Sequence, residues 1–291
     1  MLMKSFTYVR PDSLDEALTL LEKHGPAAIV LAGGTDLAVR LRTGRILPEV
    51  VIDVKRIPAL CAGVTETGAY LRVGAGTVMS DLITDARVRC HFPALAEAAH
   101  EVGSVQIRNR ATLTGNVCNA SPAADTAQPL LVYGAILNLV HSTGHRSVAI
   151  NQFFKGPGRT DLRRGEIVES IDLPLPTERQ GSAFARATRR LGVDLATVNL
   201  ACRVKESGQT LLALGAVGPR PLLVTEDSGR LVDAACSETE RAGILEELVS
   251  HATPISDVRA SDGYRRGLLR VMSRRVFETA MGRLQEQEVS L

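Results

Sequence analysis

The 291-residue sequence predicts an α+β fold in two parts: an N-terminal domain made of two small mixed units, then a smaller C-terminal domain of antiparallel strands and helices. Three observations carry this. Two glycine-bearing stretches, at 31–37 and 107–125, interrupt otherwise periodic sequence in the first part. Pro174-Leu-Pro-Thr-Glu178 breaks a strand-like run and marks a boundary, giving domains at 1–176 (units of about 1–55 and 56–176) and 177–291. Beyond it, apolar runs at 196–205 and 211–217 flank Ser207-Gly208 and read as antiparallel strands.

The elements follow in order. Ser13-Leu-Asp-Glu16 has the layout of a capping box, and Ala17, Leu18, Leu20 and Leu21 continue it as a helix ending near Gly25. Ala27–Leu31 is a short apolar run suited to a buried strand, Gly33-Gly34 a tight turn, and Leu37–Thr43 a helix that stops at Gly44; a second strand covers 50–54. The next unit has strands at 71–75, 136–140 and 147–150, helices at 79–86 and 93–102, a short buried helix at 126–133, and a strand at 167–173. Residues 107–125 show neither strand nor helix period and are expected to be irregular. Helices at about 238–250 and 262–283 close the chain.

Charge excludes some functions. With 34 basic against 32 acidic residues the net charge is +2, which gives no overall attraction for nucleic acid or an anionic membrane. No apolar run approaches the roughly 20 residues that span a bilayer, and Met1-Leu-Met-Lys-Ser-Phe-Thr-Tyr8 lacks a leader layout, so a cytoplasmic location is expected. Cysteines at 61, 90, 118, 202 and 236 form no C-x-x-C pair, and the six histidines form no H-x-x-x-H pair, so no metal site is expected and the thiols are read as reduced. From Arg259 to Arg283, Arg265, Arg266, Arg270, Arg274 and Arg275 alternate with apolar residues on one amphipathic helix. A solvated face is the leading expectation there and a docking surface for a partner subunit the second.

Glycines at Gly33-Gly34 permit positive φ and close approach of another group, while the first N–H groups of the next helix present a positive dipole end, an arrangement suited to a pyrophosphate. The same turn with Thr35 or Asp36 as a helix cap needs no ligand. Thr112, Thr114, Gly115, Asn116, Asn119 and Ser121 add small hydrogen-bonding side chains able to wrap a polar ligand. Asp125 lies near a helix start, where it either caps the helix or accepts hydrogen bonds from ligand hydroxyls.

The two stretches, in their order and separation, together with Phe153–Thr160, Gly165–Pro174 and Ser182–Arg190, resemble the FAD-binding medium subunit of the molybdenum hydroxylases, the xanthine dehydrogenase and carbon monoxide dehydrogenase family. The likeness covers nearly the whole chain. It implies a two-part FAD-binding domain of the PCMH/vanillyl-alcohol-oxidase type. By resemblance, Val30, Leu31, Ala32, Gly33, Gly34, Thr35, Asp36 and Leu37 form the loop whose backbone amides bind one side of the FAD pyrophosphate, with Thr35 adding a hydroxyl and the Asp36 carboxylate turned away. Thr112, Gly115 and Asn116 match further pyrophosphate and ribityl contacts, Asp125 a residue bonding the cofactor's hydroxyl-bearing chain, and Val168 a backbone contact. Arg186 stands where relatives more often carry Lys near the isoalloxazine, and Thr114 where they show glycine.

The resemblance also implies a division of labour. A large subunit holds the molybdenum cofactor, a small one holds two [2Fe-2S] clusters, and FAD here passes electrons to NAD+, oxygen or another acceptor, the three subunits doubling into a dimer of heterotrimers. None of the matched residues is a nucleophile or general base. Rival readings are a self-contained FAD-dependent oxidase and a cofactor-free assembly subunit. A nicotinamide Rossmann enzyme is set aside because no G-x-G-x-x-G follows the first strand.

Overall fold

A computed structural model describes residues 4–289; Met1 to Met3, the start of the segment read for a leader, lie outside the described residues, as do Ser290 and Leu291. Strand β1 (Thr7–Val9) precedes helix α1 (Leu14–His24), which opens as its sequence requires: Ser13 Oγ accepts from Glu16 N at 3.1 Å and the Glu16 carboxylate accepts from Asp12 N at 3.1 Å. Strand β2 (Ala28–Leu31), helix α2 (Leu37–Arg42) and strand β3 (Val50–Asp53) complete a parallel sheet in the order β1-β3-β2. Its middle strand is buried along its whole length, and Ala17, Leu18 and Leu21 of α1 pack against Val50 and Ile52.

The second unit begins with strands β4 (Val64–Thr67) and β5 (Tyr70–Gly74). Helix α3 (Met79–Thr84) stops two residues earlier than its periodicity suggests, because Asp85 leaves the helix and caps α4 (Ala86–His91), its Oδ1 accepting from Arg87 N at 2.9 Å and Val88 N at 3.2 Å. Helix α5 (Pro93–Glu101) follows. The stretch expected to be irregular instead holds the end of one short helix, α6 (Val105–Arg108), and the whole of another, α7 (Leu113–Asn119), each opened by a side-chain cap, Ser104 and Thr112. At four and seven residues they are too brief to show a helical period.

Helix α8 (Ala127–Tyr133) is buried at every residue. Strands β6 (Ile136–His141) and β7 (Gly144–Ala149), helix α9 (Ile150–Phe153), the small hairpin β8 (Phe154–Gly156) and β9 (Arg159–Thr160), and strand β10 (Ile167–Pro174) finish the unit. The antiparallel sheet runs β4-β5-β10-β6-β7.

The last unit is a four-stranded antiparallel meander of β11 (Gln180–Ala187), β12 (Val198–Lys205), β13 (Thr210–Gly215) and β14 (Leu222–Glu226), backed by α10 (Glu238–Ser250) and α11 (Asp262–Val289). Helix α11 crosses β11 at Gly181, where an added Cβ would sit 1.8 Å from the Ala280 carbonyl oxygen. Leu269, Met272, Val276 and Ala280 share a core with Leu200 and Leu212. No helix among the described residues is long and apolar enough to cross a membrane.

The arginine-rich helix departs in one respect from a solvated face. Arg265 is 1% exposed; its Nη1 donates to the carbonyls of Thr197 and Ala216 and its Nη2 to Asp257 Oδ1 at 2.7 Å. It ties the helix to the ends of β12 and β13, while Arg270, Arg274 and Arg275 remain exposed. The units also interlock around α8: Ala201 and Ala213 of the last unit belong to the core built on Leu130 and Leu137, and the Tyr133 hydroxyl meets both Ala94 N and Ser182 Oγ.

Candidate functional site

The two glycine-bearing stretches touch. Strand β2 delivers Val30, Leu31 and Ala32 to the turn, Gly34 takes φ +80°, and α2 departs from Leu37. Gly33 lies against the backbone of the second stretch: a Cβ there would stand 2.1 Å from the Arg110 carbonyl oxygen and 3.0 Å from the Ala111 Cα. Thr35 is half-buried, whereas Asp36 is exposed and its carboxylate makes no capping bond to α2, so the ligand-free role weighed for it is absent.

A cleft of about 230 Å³ opens where the stretches meet, with Ala32 and Gly33 on one side and Asn109, Arg110 and Thr112 on the other; Lys55, Cys61, Gly76 and Val78 also line it. Two cations and no carboxylate border this space. The Lys55 ammonium is held 2.6 Å from Asp53 Oδ2. Burial works to raise the Asp53 pKa, but donors from Lys55 and Tyr8 outweigh it and keep the group below the usual carboxylate range.

Thr112 caps α7, its Oγ1 accepting from Gly115 N at 3.0 Å, and a side chain on Gly115 would meet that oxygen at 2.8 Å. Asn116 Oδ1 accepts from Thr126 Oγ1 at 2.7 Å. Thr114, in the place where relatives show glycine, sits in the first turn of the helix without a positive φ; it is 7% exposed and its hydroxyl is buried without a partner. Val168 lies in β10 beside a register shift, its side chain in the core that also holds Leu113 and Val117 beneath α7.

Asp125 does not cap α8. Its Oδ1 accepts from Asn199 Nδ2 at 2.9 Å and its Oδ2 pairs with Arg186 Nη1 at 3.0 Å. Burial pushes its pKa up to about 6, against the opposing pull of Arg186 and Asn199. Arg186 reaches further, placing Nε 2.7 Å from Glu101 Oε2. Arg186 and Glu101 border a second cavity of about 580 Å³, shared with Arg89, His100 and Phe184.

The site residues thus fall into two clusters, the loop of 30–37 with Thr112 at one cleft, and Asp125 with Arg186 beside the other, joined by α7 and the turn after it. Neither cavity is lined by both. Lys55, Arg110, Glu101 and Asn199 escaped the sequence reading. Arg110 had a local signal in the Arg108-Asn-Arg110 run beside the glycine-bearing stretch; the others had none. Among the described residues no group of three or more His, Cys, Asp or Glu side chains could hold a metal ion.

A carboxylate-free cleft bearing two cations, opening where Gly33 meets the second stretch, has the chemistry of an anion site, so these residues fit a dinucleotide pyrophosphate. Residues 4–176 match the FAD binding domain in molybdopterin dehydrogenase, and residues 182–280 match the CO dehydrogenase flavoprotein C-terminal domain. The chain therefore belongs to the FAD-binding flavoprotein subunits of the molybdenum hydroxylase family, as its resemblance implied, and it is an oxidoreductase subunit with FAD as its cofactor.

Among its relatives, the xanthine dehydrogenase FAD-binding subunit of Escherichia coli O157:H7 is 33% identical over 280 residues, covering 94% of this chain and 96% of its own. The carbon monoxide dehydrogenase medium chain of Hydrogenophaga pseudoflava is 31% identical over 287 residues, covering 97% and 99%. A solved structure of carbon monoxide dehydrogenase from Hydrogenophaga pseudoflava, lacking the Mo-pyranopterin moiety of its cofactor, superposes with a TM-score of 0.90 at 30% identity over 97% of this chain and 99% of that one.

Proposed function

We propose that this chain is the electron-transfer subunit of a molybdenum-containing dehydrogenase, taking electrons from a [2Fe-2S] partner subunit and passing them to NAD+, oxygen or another acceptor. The observation that carries the cofactor half of this reading is the contact of Gly33 with the Arg110 carbonyl, which closes two distant stretches into one cradle. In this reading the residues from Val30 to Leu37 offer backbone N–H groups and the Thr35 hydroxyl to the pyrophosphate, while Arg110 balances its charge and Lys55, paired with Asp53, adds a further N–H donor. Thr112, Gly115 and Asn116 hold the second side, and Val168 supports α7 from below. Asp125 accepts hydrogen bonds from the cofactor's hydroxyls, and Arg186 is the guanidinium near the ring system, its charge offset by Asp125 and Glu101. Bound FAD supplies the exchange between single-electron arrival and two-electron departure.

In this reading substrate choice lies in another chain. Relatives named for xanthine, carbon monoxide and glyceraldehyde stand at similar identity, 33%, 31% and 31%, and each matches over at least 94% of this chain, so the same architecture serves unlike substrates. The functional division follows 1–176 for FAD and 177–291 for the support of Asp125. A large molybdenum-cofactor subunit and a small iron–sulfur subunit complete the assembly, as a dimer of heterotrimers. Co-expression with the two neighbouring subunits tests the reading by stopped-flow absorbance: substrate should bleach the flavin band in the complex and leave it untouched in the isolated chain. Bleaching of the isolated chain by substrate would sink it.

A further inference from the structure

Asp125 stands in a polar knot that the last unit builds for it. Asn199, on β12, is fully buried, and its Nδ2 donates to Asp125 Oδ1 at 2.9 Å and to the Ala124 carbonyl at 3.3 Å. Gln128 is fully buried as well; with its amide turned so that donors meet acceptors, it donates to Ala124 O at 2.8 Å and Asp125 O at 3.1 Å. Gly215 on β13 leaves the room, since a Cβ there would sit 1.8 Å from an atom of the Gln128 amide and 2.1 Å from Asn199 Oδ1. Burying two amides where α8 packs on a strand is costly unless their bonds are made, and here both hold the 124–125 turn.

A carboxylate has about four lone-pair sites. Asn199 takes one on Oδ1 and Arg186 one on Oδ2, which leaves an acceptor on each oxygen for a ligand hydroxyl. We propose that Asn199 is a positioning residue for cofactor binding: its amide fixes the plane of the Asp125 carboxylate so that the free acceptors meet the hydroxyl-bearing chain of the dinucleotide. This rests on the reading of Asp125 as a cofactor contact.

The test is FAD affinity measured by fluorescence quenching in a double-mutant cycle. Asn199→Leu preserves the volume and removes the donor; it should weaken FAD binding about tenfold, the effect of one buried hydrogen bond. With Asp125 already changed to Ala, the same substitution should weaken binding by less than about twofold, because a positioning residue has nothing left to position. A pH profile adds a readout that a packing role would not move. Asp125 is faced by Arg186 from β11, Asn199 from β12 and, electrostatically, Glu101 from α5. Loss of the Asn199 donor should carry the acid limb of FAD binding to higher pH, and Asp125→Asn should abolish that limb. Should Asn199→Leu not fold, Asn199→Ser, too short to reach Asp125, replaces it in the cycle. Equal losses in both Asp125 backgrounds, or an unchanged affinity, would overturn the proposal. Failure of the unaltered chain to bind FAD would instead overturn the reading of Asp125.

Discussion

At Gly33 the chain has spent all its room, and a methyl group there would press on a backbone oxygen 2.1 Å away that no rotamer change can move. Gly33→Ala should lower stability by about 1–3 kcal/mol, the usual cost of overpacking, in a denaturant titration. Thr114 offers the opposite sign. Its hydroxyl is buried without a partner, so in the absence of FAD the isosteric Thr114→Val should raise stability by about 1 kcal/mol on the same assay. Asp125 supplies a pH dependence. Burial holds its pKa up to about 6 from an ordinary 3.8, so the folded chain binds more protons than the unfolded one between those values, and the contribution falls as pH rises through that window. Asp125→Asn should remove this slope from a plot of stability against pH. Residue types with their own chemistry, such as Gly33, Thr112 and Asp125, were legible in the sequence. Asn199 and Glu101 were not, because they gain meaning only from the pairing of β11 with β12 and from α5, which bring residues 74 and 85 positions away to Asp125 and Arg186.

The elements that the sequence announced are those with a buried face. Helix α1 is the clearest: its cap, acidic first turn and apolar spacing agree, and Ser13→Ala should cost about 1 kcal/mol in thermal unfolding. The strands that escaped, β1, β4, β8, β9, β11 and β14, are all sheet edges: β1, β4, β9 and β14 have at most one fully buried residue, β8 and β9 are only three and two residues long, and β11 opens on Gln180-Gly-Ser182, buried but not apolar, so none shows an apolar pattern. Strand β7, another edge, was legible only in its second half, next to Val148, its one buried residue. Helices α6 and α7 escaped for a different reason. The cap of α6, Ser104, lies just before the glycine-bearing stretch, and that of α7, Thr112, lies within it, where such a residue reads equally as a ligand contact. Thr112 is a cap in the fold, so its reading as a phosphate contact must work through the hydroxyl proton that capping leaves free.

Across the whole molecule, the second and last units interlock around α8. Arg265 clamps α11 to the strand ends that carry Asn199 and Gly215, so the unit lacking the glycine-bearing stretches still sets the geometry of Asp125. An arginine run on a helix could not reveal this, since burial of one guanidinium among several depends on the carbonyls opposite it. Whether the two stretches form one FAD cradle is read from a visible absorption spectrum of the purified protein before and after addition of FAD. A bound flavin spectrum is expected, released as FAD on denaturation and weakened in Asp125→Ala. A protein that takes up no flavin from excess FAD, with its partner subunits present, would contradict that cradle.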